Sequence, residues 1–209
     1  MEFEQIQPME IEKRSFEIIT EELAGRTFPE ETADIIKRAI HTSADFEYAD
    51  TLVFSETAVE SALLAIRSGA DIVTDTQMVR AGINKKALET FGGSVHCFMS
   101  DEDVAAQAKM KGVTRASVSM EKAAESEKEC IIAVGNAPTA LMKLYELIQE
   151  GKITPKLIIA VPVGFVNVVQ AKELIMTAGV PYIVARGRKG GSNIAAAICN
   201  ALIYKLVKR

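Results

Sequence analysis

The sequence is poor in several residue types that often carry chemistry. Its 209 residues include no tryptophan, three cysteines and two histidines. Long apolar runs are also missing, because the longest, residues 157–166, contains Pro162 and Gly164 and is far too short to cross a bilayer. The N-terminal stretch MEFEQIQPMEIEKRS is acidic and lacks the apolar core of a signal peptide. We therefore expect a cytoplasmic protein that does not bind a membrane.

The few cysteines and histidines do not have the spacing of a metal site. Cys97, Cys130 and Cys199 are isolated in apolar stretches, so we predict small core residues in a reducing compartment, not disulfides or zinc ligands. No CxxC, HxxxH or HExxH pattern occurs. His96 and Cys97 are neighbours on a predicted strand and point to opposite faces, so they cannot share a metal. We predict no metal site built from the protein's own side chains.

The charge and length of the chain limit its function further. A formal net charge of −4 gives no support to nucleic-acid binding, which favours a basic face. The chain has no internal repeat and no low-complexity linker. We predict a single domain over residues 1–209, long enough for a sizeable core.

The first third of the chain has helical periodicity. Apolar residues follow one helical face from Ile11 to Leu23, and Gly25 ends this segment. Thr27 and Glu30 have the spacing of a capping box before a second amphipathic helix that runs into His41.

After this region, strand and helix patterns alternate. The predicted strands are residues 51–54, 71–74, 94–99, 130–134, 157–161 and 181–185. The predicted helices are residues 55–68, 114–124, 138–150 and 168–178, with others beginning at Asp101 and Ser192. The strand runs are continuously apolar, which is typical of strands covered on both faces. The pattern predicts a three-layer α/β fold with a mostly parallel central sheet flanked by helices.

Ligands of parallel sheets bind beyond the carboxyl ends of the strands. The predicted turns there are DTQMVRAG (75–82), GNAPTAL (135–141), PVGF (162–165) and RGRKGGS (186–192). Glycines let a ligand approach the backbone, and amides at a helix start attract anions. Arg186, Arg188 and Lys189 add cationic donors. Any one of these turns is more simply interpreted as an ordinary connection between a strand and a helix. Together, they indicate an anion-binding rim.

The chemical nature of the anion stays open on residue types alone. In RGRKGGS, Lys189 precedes the glycine pair, so the segment is not a P-loop, and its glycines lack dinucleotide-fingerprint spacing. A polycarboxylate fits as well as a phosphate. Arg14, Ser15 and Arg115 are further candidates, with solvated surface groups as the alternative.

His41 is the better placed of the two histidines for proton transfer, because it lies where a helix meets the polar segment HTSADFEYAD. The alternative is a partly buried histidine that hydrogen-bonds Asp45 or a backbone carbonyl. Position alone does not decide between these two interpretations.

Six segments occur in a defined order along the chain: IEKRSF, IHTSADFEY, DTQMV, VGNAPTAL, PVGFV and RGRKGGS. Together they resemble the precorrin-8 methylmutases, the precorrin isomerases of cobalamin biosynthesis, over essentially the whole sequence. The form HTSADFEY resembles the branch that handles cobalt-bearing precorrins.

This resemblance implies an isomerase that moves a methyl group from ring carbon 11 to ring carbon 12 of (cobalt-)precorrin-8. The product would be cobyrinic acid, or hydrogenobyrinic acid without the metal. It also implies a homodimer that needs no added cofactor, with any cobalt belonging to the anionic tetrapyrrole substrate, and possible handover to other pathway enzymes.

The resemblance further implies that His41 is catalytic, and we hypothesise that it protonates the macrocycle near the migrating methyl. General acid catalysis of this kind is worth roughly 10²–10⁴-fold. The implied substrate contacts are Arg14, Ser15, Arg115, Asn136, Ala137, Thr139, Gly164, Phe165, Arg186, Gly187, Lys189, Gly190, Gly191 and Ser192. Two other functions remain open at this point: a corrinoid carrier without catalysis, and a generic α/β enzyme that binds sugar phosphates or nucleotides.

Overall fold

A computed structural model describes residues 5–207 of the chain. Within them lie six strands: β1 Leu52–Phe54, β2 Asp71–Thr74, β3 Val95–His96, β4 Cys130–Val134, β5 Leu157–Ala160 and β6 Tyr182–Ala185. They form one sheet in the order β1-β6-β5-β4-β2-β3. β1 runs antiparallel to β6, and the other neighbouring pairs are parallel. Residues 1–4, at the start of the acidic N-terminal stretch, and residues 208–209 lie outside the described part.

Helices connect the strands and precede β1. A 3₁₀ turn, Pro8–Glu10, is followed by α1 Ile11–Glu22, α2 Glu30–Ser43, α3 Tyr48–Thr51, α4 Ala58–Arg67, α5 Gln77–Gly82, α6 Lys85–Glu89, α7 Glu102–Lys111, α8 Arg115–Ala124, α9 Pro138–Gln149, α10 Val168–Ile175 and α11 Ser192–Tyr204. No helix within residues 5–207 has the length and apolar character needed to cross a membrane.

Both faces of the sheet are covered, because the central strands are apolar at every position. In β4, Ile131 and Ala133 belong to one core cluster, whereas Cys130, Ile132 and Val134 belong to the other. This alternation follows from the period of two in a strand. The first cluster includes α2, α4 and α11, and the second includes α8, α9 and α10. The predicted three-layer α/β fold with a mostly parallel sheet is confirmed.

Some local predictions were wrong. Thr27 and Glu30 do not form the predicted capping box, because α2 begins with Pro29 at its N-cap position and has no side-chain cap hydrogen bond. The strand predicted over residues 94–99 shrinks to β3, which pairs only with β2 at the edge of the sheet. The short helices α3, α5 and α6 lie in segments for which no helix was predicted.

The cysteines are core residues, as predicted. Cys97, Cys130 and Cys199 are buried and free of disulfides. Burial raises the pKa of the Cys130 thiol to about 11. It raises the pKa of the Cys199 thiol to about 12. Both thiols therefore stay protonated near neutral pH and are poor nucleophiles.

Two polar side chains are completely buried in the helices that cover the second face of the sheet, α8 and α10. Lys172 of α10 is 0% exposed and donates to the carbonyl oxygens of Gly187 (2.9 Å) and Lys189 (2.8 Å). Burial lowers the pKa of its amine to about 8. Ser119 of α8 is also 0% exposed, and its Oγ has no hydrogen-bond partner within residues 5–207. Each of these two groups leads to a testable prediction about stability.

We expect Ser119→Ala to stabilise the protein by about 1 kcal/mol, because it removes a buried hydroxyl that gains no hydrogen bond on folding. Ser117→Ala on the same helix is the matched control. Ser117 Oγ lies 3.0 Å from Thr114 Oγ1 and donates to the carbonyl of Thr139 at 3.4 Å, so its removal should destabilise by a similar amount. Urea unfolding of both variants measures the two changes, and destabilisation by Ser119→Ala would contradict the interpretation.

Lys172 should leave a signature in the pH dependence of stability. An amine with a usual pKa of 10.5 in the unfolded chain and about 8 in the folded chain binds more protons when unfolded between these values. The unfolding free energy should therefore rise with pH over this range, relative to Lys172→Met, by on the order of 2 kcal/mol. Urea unfolding at several pH values measures the difference, and parallel curves for the two proteins would refute it.

Candidate functional site

The carboxyl ends of the parallel strands form a rim at a point where the chain changes direction. From β2 the chain moves outward to β3, and then returns to β4 on the other side of β2 before continuing to β5 and β6. Such a switch point leaves a crevice between the turns that follow the two strands. We call the turns 75–82, 135–141, 162–165 and 186–192 the strand-tip rim.

The crevice at the switch point is filled by a carboxylate of the chain itself. Asp75, at the end of β2, is fully buried and accepts hydrogen bonds from the amides of Gly135 (2.8 Å), Asn136 (2.8 Å) and Ala137 (2.7 Å). Burial raises the pKa of Asp75, and the three amides oppose this shift. The amides at the start of α9 are therefore already engaged. Only the exposed side chain of Asn136 and its neighbours remain to meet a ligand there.

Two glycines of the rim allow neighbouring turns to pack closely. A Cβ on Gly135 would lie 2.7 Å from Ser192 Cα, and one on Gly190 would lie 2.1 Å from the carbonyl oxygen of Val161. Thr76 and Ser192 also connect two turns, because their hydroxyl oxygens are 2.9 Å apart. Gly135 and Gly190 therefore let the turns pack on one another, and the approach of a ligand to the rim backbone stays a prediction.

Two of the cations predicted to bind an anion are already paired. Arg186 donates through Nε and Nη2 to both carboxylate oxygens of Glu173, each at 2.9 Å. This contact raises the pKa of Arg186. Lys189 Nζ lies 2.7 Å from Asp45 Oδ2 and 2.6 Å from Glu47 Oε2, and these carboxylates raise the pKa of Lys189. An incoming anion would have to displace these partners.

The remaining rim candidates have simple local roles in the free protein. The amide of Gly164 donates to the carbonyl of Arg188 at 3.1 Å, and the amide of Gly191 donates to that of Val161 at 2.8 Å. The carbonyl of Gly187 accepts from Lys172, as described above. Phe165, in contrast, is 80% exposed.

His41 is exposed in the last turn of α2, which ends where Ala44 takes a left-handed conformation. It lines a groove of about 270 Å³ between α2, α5 and α11. The Phe16 ring centroid lies 5.5 Å from that of the imidazole. Within residues 5–207 the imidazole has no hydrogen-bond partner, and the Asp45 carboxylate pairs with Lys189 instead. The alternative of a buried histidine held by Asp45 or a backbone carbonyl is wrong.

Arg38 is a neighbour of His41 that the sequence analysis missed. It lies one helical turn before His41 and lines the same groove. Its guanidinium carbon is 5.3 Å from the ring centroid of Phe16 and 5.1 Å from that of Tyr204. It also donates to Glu12 at 2.6 Å. The spacing of three residues on one helix was the available signal for this residue.

Residues of α1 approach the site through Phe16, but the two predicted contacts do not point clearly to it. Arg14 Nη1 lies 3.6 Å from Glu17 Oε2 and 3.8 Å from Glu21 Oε1. Ser15 Oγ donates to the carbonyl of Ile11 in its own helix at 2.9 Å. Both side chains are half-buried, and their role as substrate contacts stays a prediction.

Arg115 and Thr139 are brought together at the starts of two neighbouring helices. Arg115 is the first residue of α8 and is exposed. Its preceding residue, Thr114, has its Oγ1 2.8 Å from Thr139 Oγ1 at the start of α9. No group of three His, Cys, Asp or Glu side chains in the described part of the chain is arranged to hold a metal ion.

Comparison with known sequences gives matches over most of the chain. A family model described as Precorrin-8X methylmutase matches residues 10–205. The chain is 46% identical over 197 residues to a cobalt-precorrin-8 methylmutase from Priestia megaterium, covering 94% of this chain and 88% of that protein. It is 44% identical over 207 residues to one from Salmonella typhimurium, covering 96% of each. A precorrin-8X methylmutase from Pseudomonas aeruginosa is 37% identical over 194 residues, which cover 92% of this chain and 93% of that protein.

A solved structure agrees with these relatives. The structure titled as precorrin-8x methyl mutase from Thermus thermophilus has a TM-score of 0.86 and 40% sequence identity. The alignment covers 93% of this chain and 96% of that one. The resemblance inferred from the six sequence segments is confirmed. The chain therefore belongs to the precorrin-8X methylmutase family, whose members are isomerases of cobalamin biosynthesis.

Proposed function

We propose that this protein moves the methyl group on carbon 11 of precorrin-8 to carbon 12, with His41 as the general acid. The observation that carries this proposal is the exposed imidazole in a groove at the end of α2, with no hydrogen-bond partner among the described residues. A proton donor must be reachable by its substrate and not committed to a structural bond. His41 meets both conditions.

The substrate would lie across the strand-tip rim. A precorrin is a wide conjugated disc with acetate and propionate groups at its edge, so it needs apolar contact for its faces and cationic or hydroxyl donors for its edge. Exposed Phe165 supplies the first kind of contact, and Arg115, Asn136 and Thr139 supply the second. The family membership supports a ligand of this shape.

The reaction needs a proton only temporarily. His41 donates a proton, by full transfer or through a hydrogen bond, to the macrocycle near the migrating methyl. The bond from the methyl to carbon 11 breaks while the bond to carbon 12 forms, and the proton returns to the imidazole. The product has the same atoms as the substrate. The isomerisation therefore calls for no redox partner or added cofactor, and any cobalt belongs to the substrate.

Asp45, four residues after His41, is not available to assist the imidazole, because its carboxylate accepts from Lys189 Nζ at 2.7 Å. This hydrogen bond lowers the pKa of Asp45.

The cobalt-bearing form of the substrate is the better candidate. Relatives named cobalt-precorrin-8 methylmutase reach 46% and 44% identity, although one is 34% identical, whereas two relatives named precorrin-8X methylmutase are each 37% identical. The motif HTSADFEY also resembles the cobalt branch. The product would then be cobyrinic acid.

We also propose that the enzyme is a cytoplasmic homodimer that hands its product to another enzyme of the pathway. Free cysteines suit a reducing compartment. Large apolar side chains are exposed at Met78, Met110 and Val166, and a second copy could cover such residues. Sedimentation equilibrium at micromolar concentration should give twice the 22.7 kDa chain mass, and a monomer there would refute the dimer.

We expect His41→Ala to lower kcat by roughly 10²–10⁴-fold, because the variant loses the proton donor. Affinity for cobyrinic acid should change little, since the imidazole acts on the reacting bonds. Stopped-flow absorbance of cobalt-precorrin-8 conversion measures the rate, and spectral titration measures the affinity.

The second histidine is the matched control for this experiment. His96 pairs with Asp71 at 3.1 Å in β2 and does not line the groove, so His96→Gln should keep a near-normal kcat. Wild-type turnover by His41→Ala would refute the general-acid role. A wild-type protein that binds cobyrinic acid but converts no precursor would instead support the carrier function.

A further inference from the structure

The turn 186–192 has three cationic side chains, and they are not equivalent. Arg186 is paired with Glu173, and Lys189 with Asp45 and Glu47. Arg188, between them, has no carboxylate within ion-pair distance in the described part of the chain. It is exposed, and its guanidinium carbon lies 5.5 Å from the ring centroid of Phe165. One cation of the turn is therefore free while its two neighbours are committed.

The backbone around Arg188 is held at three consecutive carbonyls. Buried Lys172 donates to the carbonyl before Arg188 and to the one after it, at Gly187 and Lys189. The carbonyl of Arg188 itself accepts from the amide of Gly164 at 3.1 Å. Because this backbone is already fixed, only the Arg188 side chain has to be ordered when a ligand binds, which lowers the entropic cost of binding.

The side chains beside Arg188 are apolar and exposed. Phe165 is 80% exposed, Val166 is 78% exposed and Val163 is 47% exposed, all in the turn after β5. A guanidinium above an aromatic ring keeps its in-plane N–H donors for a second partner. Phe165 and Arg188 thus present an apolar surface next to a guanidinium whose two parallel N–H donors match a carboxylate.

We propose that Arg188, supported by Phe165, is the residue of this turn that grips a peripheral carboxylate of the corrin substrate. Arg186 and Lys189 instead tie the turn to α10 and to the segment that follows α2. This inference rests on the proposed function, because it names a contact for the same ligand. It reverses the expectation that Arg186 and Lys189 supply the binding charge.

The test compares Arg188→Gln with Arg186→Gln, using cobyrinic acid and its fully esterified form as the two probes. Both variants remove one positive charge from the same exposed turn, so general electrostatics should affect them alike. Arg188→Gln should weaken binding of cobyrinic acid by roughly tenfold or more, the usual cost of a lost charge-assisted contact. Binding of the ester, which has no carboxylate to grip, should change less than about twofold.

Arg186→Gln should weaken cobyrinic acid binding by less than about threefold and should lower the melting temperature slightly, because it breaks a surface ion pair. Arg188→Lys should recover part of the lost affinity, since it restores charge without the planar fork. Spectral titration measures each affinity, and its dependence on salt should be shallower for Arg188→Gln than for the wild type.

Three results would overturn the inference while leaving the proposed function intact. The first is an unchanged affinity of Arg188→Gln for cobyrinic acid. The second is an equal loss of affinity in Arg188→Gln and Arg186→Gln. The third is an equal loss of affinity of Arg188→Gln for the acid and the ester, which would indicate a collapsed turn. If the wild-type protein binds neither probe and converts no cobalt-precorrin-8, the proposed function fails and the inference fails with it.

Discussion

The buried carboxylate of Asp75 determines how the strand-tip rim can be used. It connects the end of β2 to the amides at the start of α9, across the switch point where many α/β proteins bind a ligand. Because this position is filled from within, a substrate must lie further out on the turns. The turns are fixed by their contacts with one another, and a rigid, open rim suits a wide flat ligand better than a small phosphate.

Ion pairs within the protein also limit which ligands the rim can attract. A rim with three free cations would attract many anions, whereas Glu173, Asp45 and Glu47 neutralise two of the three in the turn 186–192. The same pairs hold that turn to α10 and to the segment after α2. These two cations therefore serve mainly to position the turn. In the proposed function, recognition of the substrate would depend on the donors that have no such partner.

The fold could be predicted from the sequence where the signal is local. β4 coincides with its predicted bounds because five consecutive apolar residues between polar segments have few other interpretations. β3 and the short helices α5 and α6 were missed or misjudged, since edge pairing and tertiary packing decide them. In the candidate site, the sequence showed which residue types were present but not which residues they pair with in the folded protein. Arg186 meets Glu173 13 residues away and Lys189 meets Asp45 144 residues away, and no local pattern encodes such contacts.

The reversed direction of β1 explains why residues of the N-terminal third lie beside the strand-tip rim. Leu52, at the start of β1, pairs with Ala185, at the end of β6, so the chain enters this strand at the rim. The residues just before it, from His41 onward, are consequently delivered to the rim as well. If β1 were parallel to β6, it would begin at the amino ends of the other strands. The residues before it would then lie at the end of the sheet away from the rim. One inverted edge strand thus brings His41 close to the turns of the strand-tip rim, although more than 90 residues separate His41 from the turn 135–141 in the sequence.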